Sequence, residues 1–242
     1  MRKETCILTT WKNSLNDLVN LFFPKRCLCC GRLLTTGEEQ ICLHCFCDLP
    51  FTRYHLIPEN PIEQLFAGKI RFEHASSCLH FEKDNRTQRM IHALKYHGNR
   101  QIGFWLGQVA AQQLAEADSP LCKVDRIIPV PLHRRRQFLR GYNQAEIIAQ
   151  GMQSELHIPL DTTHLFRKVS NRTQTQLEQQ ERWLNVKDIF GVKHPEELRN
   201  QHLLLVDDVV TTGATLLSCA ETLAGSVEGL RISFFTIATA YK

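Results

Sequence analysis

Apolar positions along the chain follow two alternating rhythms. Leu203–Val206 is an unbroken apolar run, the pattern of a strand covered on both faces. Ile127-Ile128 before Pro129 gives a shorter β-branched run within Asp125–Val130, and Ile232–Ile237 reads as a further strand. Between these runs the spacing becomes helical. Ile102, Trp105, Leu106, Val109 and Ala110 mark one helix, ended by Ser119-Pro120. Ala145, Ile148, Ala149 and Met152 mark another, with Asn143 placed to cap it. Residues 213–224 read as a third. Strands alternating with helices predict βαβ units, hence an α/β fold with a mainly parallel sheet. Phe72–Phe81 holds strand-like stretches and predicts a hairpin arm. Near the N-terminus, Leu15, Leu18, Val19 and Phe22 recur at i, i+3, i+4 and i+7. They predict an amphipathic helix within residues 1–24 that packs on its own protein.

No stretch of about 18 uncharged apolar residues occurs, so no membrane span is expected. Lys12, Asn13, Asn16, Asp17 and Asn20 interrupt any signal-peptide core, and a cytoplasmic location is expected. The 242 residues, 43% hydrophobic and 22% charged, exclude a disordered tail, a collagen-like chain and a coiled-coil rod. The net charge of +4 is too small for a general polyanion binder, so any basic surface must be local. Residues 123–140 supply one: Lys123, Arg126, Arg134, Arg135, Arg136 and Arg140 stand against a single acid, Asp125. Such a cluster suits pyrophosphate, gripped by guanidinium forks. It equally suits a track for single-stranded DNA, with Phe138 and Tyr142 as stacking platforms. Arg167, Lys168 and Arg172 form a second, weaker cluster.

Six of the ten cysteines fall within residues 27–47. Cys27-Leu28-Cys29-Cys30-Gly31 and Cys42-Leu43-His44-Cys45 are two Cys-x-x-Cys turns. Facing each other, they supply the four thiolates of a tetrahedral zinc site. Cys27, Cys30, Cys42 and Cys45 are the expected ligands, with Cys29, Cys47 and His44 as alternatives that would shift the register. A closed four-ligand site is structural, and a unit this small needs the metal to fold. Pro50, Pro58 and Pro61 follow, placing a domain boundary near residue 60. The expected domains are a helix over 1–24, a zinc-ribbon-like unit over 25–60 and an α/β domain over 61–242. Cys6, Cys78, Cys122 and Cys219 read as small hydrophobes. Residues 170–188 are polar and Gln-rich, either a lid or an exposed helix.

The most informative segment is Leu203-Leu204-Leu205-Val206-Asp207-Asp208-Val209-Val210-Thr211-Thr212-Gly213-Ala214-Thr215. A buried strand ends in two carboxylates, and a hydroxyl-rich turn then opens a helix. In parallel sheets, ligands sit beyond the carboxyl ends of the strands. The turn offers N–H groups at a helix N-terminus, where the dipole favours an anion, and Gly213 permits a close approach. Asp207 and Asp208 would repel a phosphate, so they must face hydrogen-bond donors or a cation. A ribose diol carrying a 5-phosphate satisfies both halves.

This segment resembles the phosphoribosyl-pyrophosphate (PRPP) motif of type I phosphoribosyltransferases. Ile91–Gly98, Ile128–Arg134, Arg140–Glu146, Gln176-Leu177, Arg182 and Asn185, with the four-cysteine element, resemble the ComF family of competence proteins. The resemblance implies a type I phosphoribosyltransferase-like parallel sheet flanked by helices, with a small N-terminal zinc ribbon. It implies that Asp207, Asp208, Thr211, Thr212, Gly213, Ala214 and Thr215 bind PRPP. Val130, Pro131, His133 and Arg134 would form the pyrophosphate loop, and residues 170–188 a hood. A Mg²⁺ bridging pyrophosphate and ribose oxygens would take few or no protein ligands. The implied role is handling imported single-stranded DNA in natural transformation. Arg134, Arg135, Arg136, Arg140 and Tyr142 would contact DNA, with a helicase or recombination-loading protein as partner. The alternative is an active phosphoribosyltransferase of nucleotide salvage with an unknown acceptor. Purine-salvage relatives often carry a carboxylate where this chain has Thr211, which argues against a standard purine-base transfer. The first cysteine is Cys6, not residue 2, so no N-terminal glutaminase nucleophile is expected.

Overall fold

The computed structural model describes residues 24–83, 85–168 and 189–240. The helix expected within 1–24 and the polar segment 170–188 lie outside the described residues. Two compact units divide between Leu49 and Pro50, earlier than the boundary expected near residue 60. The reason is that the intervening chain is bound to the larger unit. Thr52 N–H donates to the Cys78 carbonyl (3.0 Å), and Asn60 Nδ2 donates to the Ala75 carbonyl (2.9 Å).

The larger unit opens with α2 (Pro61–Phe66), after α1 (Leu43–Cys47) of the smaller one. The strand β1 (Ala75–His80) precedes two helices, α3 (Arg86–Tyr96) and α4 (Arg100–Glu116). Next come β2 (Arg126–Pro129), the short helix α5 (Arg134–Arg140) and α6 (Gln144–Leu156). A two-stranded antiparallel pair follows, β3 (Leu165–Arg167) with β4 (Phe190–Val192). The chain closes with β5 (His202–Val210), α7 (Ala214–Ser226) and β6 (Arg231–Thr239).

The main sheet has the order β1-β6-β5-β2, with every neighbouring pair parallel. The α/β expectation therefore holds, including the buried strand: Leu203, Leu204, Leu205 and Val206 are fully buried. The helices marked by Ile102–Ala110 and Ala145–Met152 are present as α4 and α6, and the one expected over 213–224 is α7. Asn143 caps α6 by accepting the Ala145 N–H (3.1 Å). The hairpin expected over Phe72–Phe81 is not formed. That stretch gives one strand, β1, at the sheet edge, paired in parallel with β6. Its partner comes from the far end of the sequence, which no local alternation announces.

The helices α4 and α6 meet backbone to backbone. A Cβ at Gly107 would lie 2.1 Å from the Ile148 carbonyl oxygen, and one at Gly151 would lie 2.0 Å from that of Phe104. These two glycines seat α6 firmly between α4 and the sheet, where it packs on β2 and β5. That seating fixes Tyr142 and Asn143, which lead into α6 from the arginine-rich helix. Tyr142 is 7% exposed, and its hydroxyl donates to the Leu94 carbonyl near the end of α3. Asn143 Nδ2 donates to the Val130 carbonyl (3.0 Å) beyond β2. Cys78 and Cys219 are buried as small hydrophobes, and burial pushes the Cys78 thiol up to about 12.

Candidate functional site

The four cysteines of the smaller unit converge as expected. The Sγ atoms of Cys27, Cys30, Cys42 and Cys45 all lie within 4.8 Å of one another. Cys30 and Cys42 are 3.7 Å apart, close to the ~3.8 Å edge of a tetrahedron built on ~2.3 Å metal–sulfur bonds. The first knuckle closes through Gly31 N–H to the Cys27 carbonyl (2.8 Å), with Gly31 at φ 75°, a value that favours glycine. The second is the start of α1. Glu38 ties the loop between them to the second, accepting from Thr35 N–H (2.8 Å) and Leu43 N–H (2.7 Å). Burial works to raise the Cys27 thiol, but N–H donors of Cys42, Cys30 and Cys29 outweigh it and lower it to about 6. A cluster so arranged could hold a metal ion. Cys47 is exposed and His44 faces Asp48 (3.4 Å), so neither shifts the register.

In the larger unit, Asp207 and Asp208 stand near the carboxyl end of β5. Asp208 N–H donates to Asp207 Oδ1 (2.8 Å). Burial, then the neighbouring Asp208 charge, push the Asp207 carboxyl up to about 7. Asp208 faces the other way, toward α3, where Lys95 Nζ lies 2.9 Å from its Oδ1. Both side chains of this ion pair are largely shielded, at 20% and 12% exposure. The sequence marks Lys95 only as a residue that could line the site, within the Ile91–Gly98 segment; its pairing with Asp208 is what the structure adds.

Thr211, Thr212, Ala214 and Thr215 are exposed around the start of α7. Gly213 is the N-cap at φ 72°, and no side chain caps the helix. Its first-turn N–H groups are therefore open to an anion. The close approach that Gly213 permits is to α2: an added Cβ would meet Phe66 Cε1 at 2.9 Å and Leu65 Cδ2 at 3.0 Å. On the neighbouring strand the segment after β2 is partly committed elsewhere. Val130 is buried, its N–H donates to the Val206 carbonyl (2.9 Å), and its carbonyl is taken by Asn143. His133 accepts the Arg135 N–H at Nδ1 (3.2 Å) as the N-cap of α5. Pro131 is half-buried and Arg134 exposed.

The basic cluster divides. Arg126 lies 3.6 Å from Asp161 and Lys123 2.9 Å from Asp118, so both are used structurally. The helix α5 has no buried residue. It presents Arg134, Arg135 and Arg136 together with Phe138 and Leu139, 88% and 73% exposed. Tyr142, expected as a stacking platform, is corrected here: its ring is buried and its hydroxyl is spent on Leu94. The open aromatic beside this helix is Tyr96, 65% exposed, with Arg140 over its ring at 5.5 Å.

A phosphoribosyl transferase domain model matches residues 141–240. The DNA utilization protein YhgH of Escherichia coli O157:H7 is 29% identical over 217 residues, covering 84% of this chain and 92% of that protein. Competence protein F of Haemophilus influenzae is 29% identical over 205 residues, covering 81% and 84%. Competence protein ComFC of Bacillus subtilis is 32% identical over 111 residues, covering 46% and 43%. The chain is thus similar over most of its length to proteins named for DNA utilization and competence. It carries both a parallel sheet, part of which matches the phosphoribosyl transferase domain, and a four-thiol unit. No helix among the described residues is long and apolar enough to cross a membrane.

The raised Asp207 carboxyl has a consequence for stability. The folded chain binds this proton more tightly than the unfolded chain does, so stability falls as pH rises from about 4 to about 7. Asp207→Asn should remove that dependence. Urea midpoints at pH 5 and pH 8 should show the parent losing about 2 kcal/mol relative to the variant over that interval.

Proposed function

We propose that this protein is a member of the ComF family that works in the cytoplasm on imported single-stranded DNA, and that the β5–α7 turn binds PRPP or a related phosphoribosyl ligand. The observation that carries the ligand reading is the pairing of a carboxylate couple at the β5 tip with an uncapped helix N-terminus beyond it. The ribose hydroxyls donate to Asp207 and Asp208. The 5-phosphate accepts from the N–H groups and hydroxyls of Thr211–Thr215. With Lys95 on Asp208 and the proton on Asp207, the pair carries little net charge near neutral pH. An anion approaches it without strong repulsion. A Mg²⁺ ion fits this site through ligand oxygens, because Asp208 Oδ1 is already held by Lys95. It would shield the pyrophosphate charge. Nothing in the arrangement favours transfer to a particular base, and YhgH and Competence protein F carry names from DNA use and competence.

For DNA, the exposed helix α5 supplies cations and apolar contacts together. Arg134, Arg135 and Arg136 meet phosphates, and Phe138 and Tyr96 stack on bases. A helicase or recombination-loading protein is the partner class this role calls for. The four thiols hold one structural zinc ion.

Titration calorimetry with PRPP and magnesium should give saturable heat, weakened about tenfold or more by Asp208→Asn through loss of a charge-assisted acceptor. No heat from PRPP or ribose 5-phosphate overturns the ligand reading. Pyrophosphate release with any base in a nucleobase panel would favour the salvage enzyme instead.

Changing Arg134, Arg135 and Arg136 together to alanine should weaken binding of a single-stranded oligonucleotide. The slope of log affinity against log salt should become shallower by about 2. An unchanged slope removes α5 from the DNA path.

Elemental analysis should find one zinc per chain. It should be absent from the double variant Cys27→Ser, Cys42→Ser.

A further inference from the structure

A cleft of about 680 Å³ opens at the N-terminal end of β1, two strands across the sheet from β5. Its volume lies in the range of small-molecule sites. The arm 54–60, the helix α2, the 72–76 segment and the turn 119–121 enclose it. These walls are pinned from within. Asn60, 2% exposed, donates to the carbonyls of Tyr54, Ile57 and Ala75 at 3.3, 3.2 and 2.9 Å. It also accepts the Ile62 N–H (2.9 Å). Ser119, equally buried, accepts the Leu121 N–H (3.4 Å). The cleft is therefore pre-formed rather than a gap between loose segments.

Its chemistry is one-sided. Tyr54, Phe72 and Leu121 give apolar walls, and Glu59, Glu63 and Glu73 give carboxylates. Among the described lining residues there is no lysine or arginine, in a chain whose net charge is +4. Burial, then the Arg53 charge, lower the His55 imidazole, so it adds no positive charge at neutral pH. Ser76 lines the same cleft, is 1% exposed, and its hydroxyl has no hydrogen-bond partner. An orphaned buried hydroxyl is costly unless something meets it.

We propose that this cleft binds a small organic cation with an apolar body, an alkylamine or arylalkylamine. The ammonium sits among Glu59, Glu63 and Glu73, the body lies on Tyr54, Phe72 and Leu121, and Ser76 bonds a polar atom of the ligand. This site is separate from the phosphoribosyl reading and does not rest on it.

The test is a matched series on the intact protein: phenethylamine, phenethyl alcohol and 3-phenylpropionate, followed by saturation-transfer NMR and calorimetry. The amine should bind saturably and about tenfold more tightly than the alcohol, a margin typical of one well-placed charge interaction. The acid should not bind. The triple variant Glu59→Gln, Glu63→Gln, Glu73→Gln should bring the amine down to the alcohol's affinity. Ala67→Phe, at an exposed rim position, should abolish binding of both with the melting temperature unchanged. Asp208→Asn should leave amine binding untouched, which separates this outcome from any result with PRPP. Absence of saturable amine binding, an acid that binds as well as the amine, or indifference to both cleft variants overturns the proposal.

Discussion

Two adjacent carboxylates at the tip of a strand buried on both faces are tolerable only if their charge is answered locally. The sheet answers it in two ways. Asp207 keeps its proton up to about pH 7, and Asp208 is met by Lys95 at 2.9 Å. Much of the surrounding architecture serves that second contact. Lys95 sits in the last turn of α3, and the preceding residue, Leu94, is fully buried and tied to Tyr142 through its carbonyl. Tyr142 in turn is locked at the entry to α6, whose seat depends on the glycine contact with α4. The lysine is held by backbone geometry reaching across three helices, not by its own flexible stem. A mobile lysine would gain little from an ion pair after its rotamer entropy is charged against it. A fixed and largely shielded one balances the acid pair and leaves the first turn of α7 free for an anion.

The last turn of α3 also faces the other way. Lys95 points to the acid pair while Tyr96, the next residue, lies open under Arg140. The two proposed surfaces, one for a sugar phosphate and one for a polynucleotide, therefore share a single helical turn. The helix α5 completes the outer surface in an unusual way. A seven-residue helix with no buried side chain has no packing reason to carry phenylalanine and leucine beside three arginines. Exposed apolar groups among cations suit a partner offering both bases and phosphates, and Lys-rich solvated helices do not look like this.

What the sequence revealed, and what it hid, divides by the range of the forces involved. The helices around Leu106, Ile148 and Leu216, the buried run Leu203–Val206 and the paired cysteine turns all have local causes, so spacing alone exposed them. The pairing of β1 with β6, the ion pair of Lys95 with Asp208 and the burial of Tyr142 have partners far along the chain. Phe72–Phe81 read as a hairpin because alternation reports that a strand exists, not which strand lies beside it. Tyr142 read as a DNA contact because it follows a basic run, yet its position is fixed by a carbonyl on α3. Gly213 was legible as a residue in need of freedom, but the neighbour demanding it proved to be the α2 side chains Leu65 and Phe66.

The smaller unit poses the opposite problem, too little core rather than too much charge. Among its described residues the buried apolar side chains are Cys27, Cys29, Ile41, Cys42, Cys45 and Leu49. Two aliphatic side chains do not offset the entropy of ordering some two dozen residues at about 1–2 kcal/mol each. The four converging sulfurs at its centre would repel one another if ionised without a cation, and the lowered Cys27 thiol already leans toward the ionised form. The same atoms that make a poor hydrophobic core make a strong one once a divalent ion joins them, since binding energy then becomes folding energy. The thiol geometry and the scarcity of other core thus support the proposed zinc site from independent directions: the unit has a cluster that could hold a metal ion and little else to hold it together.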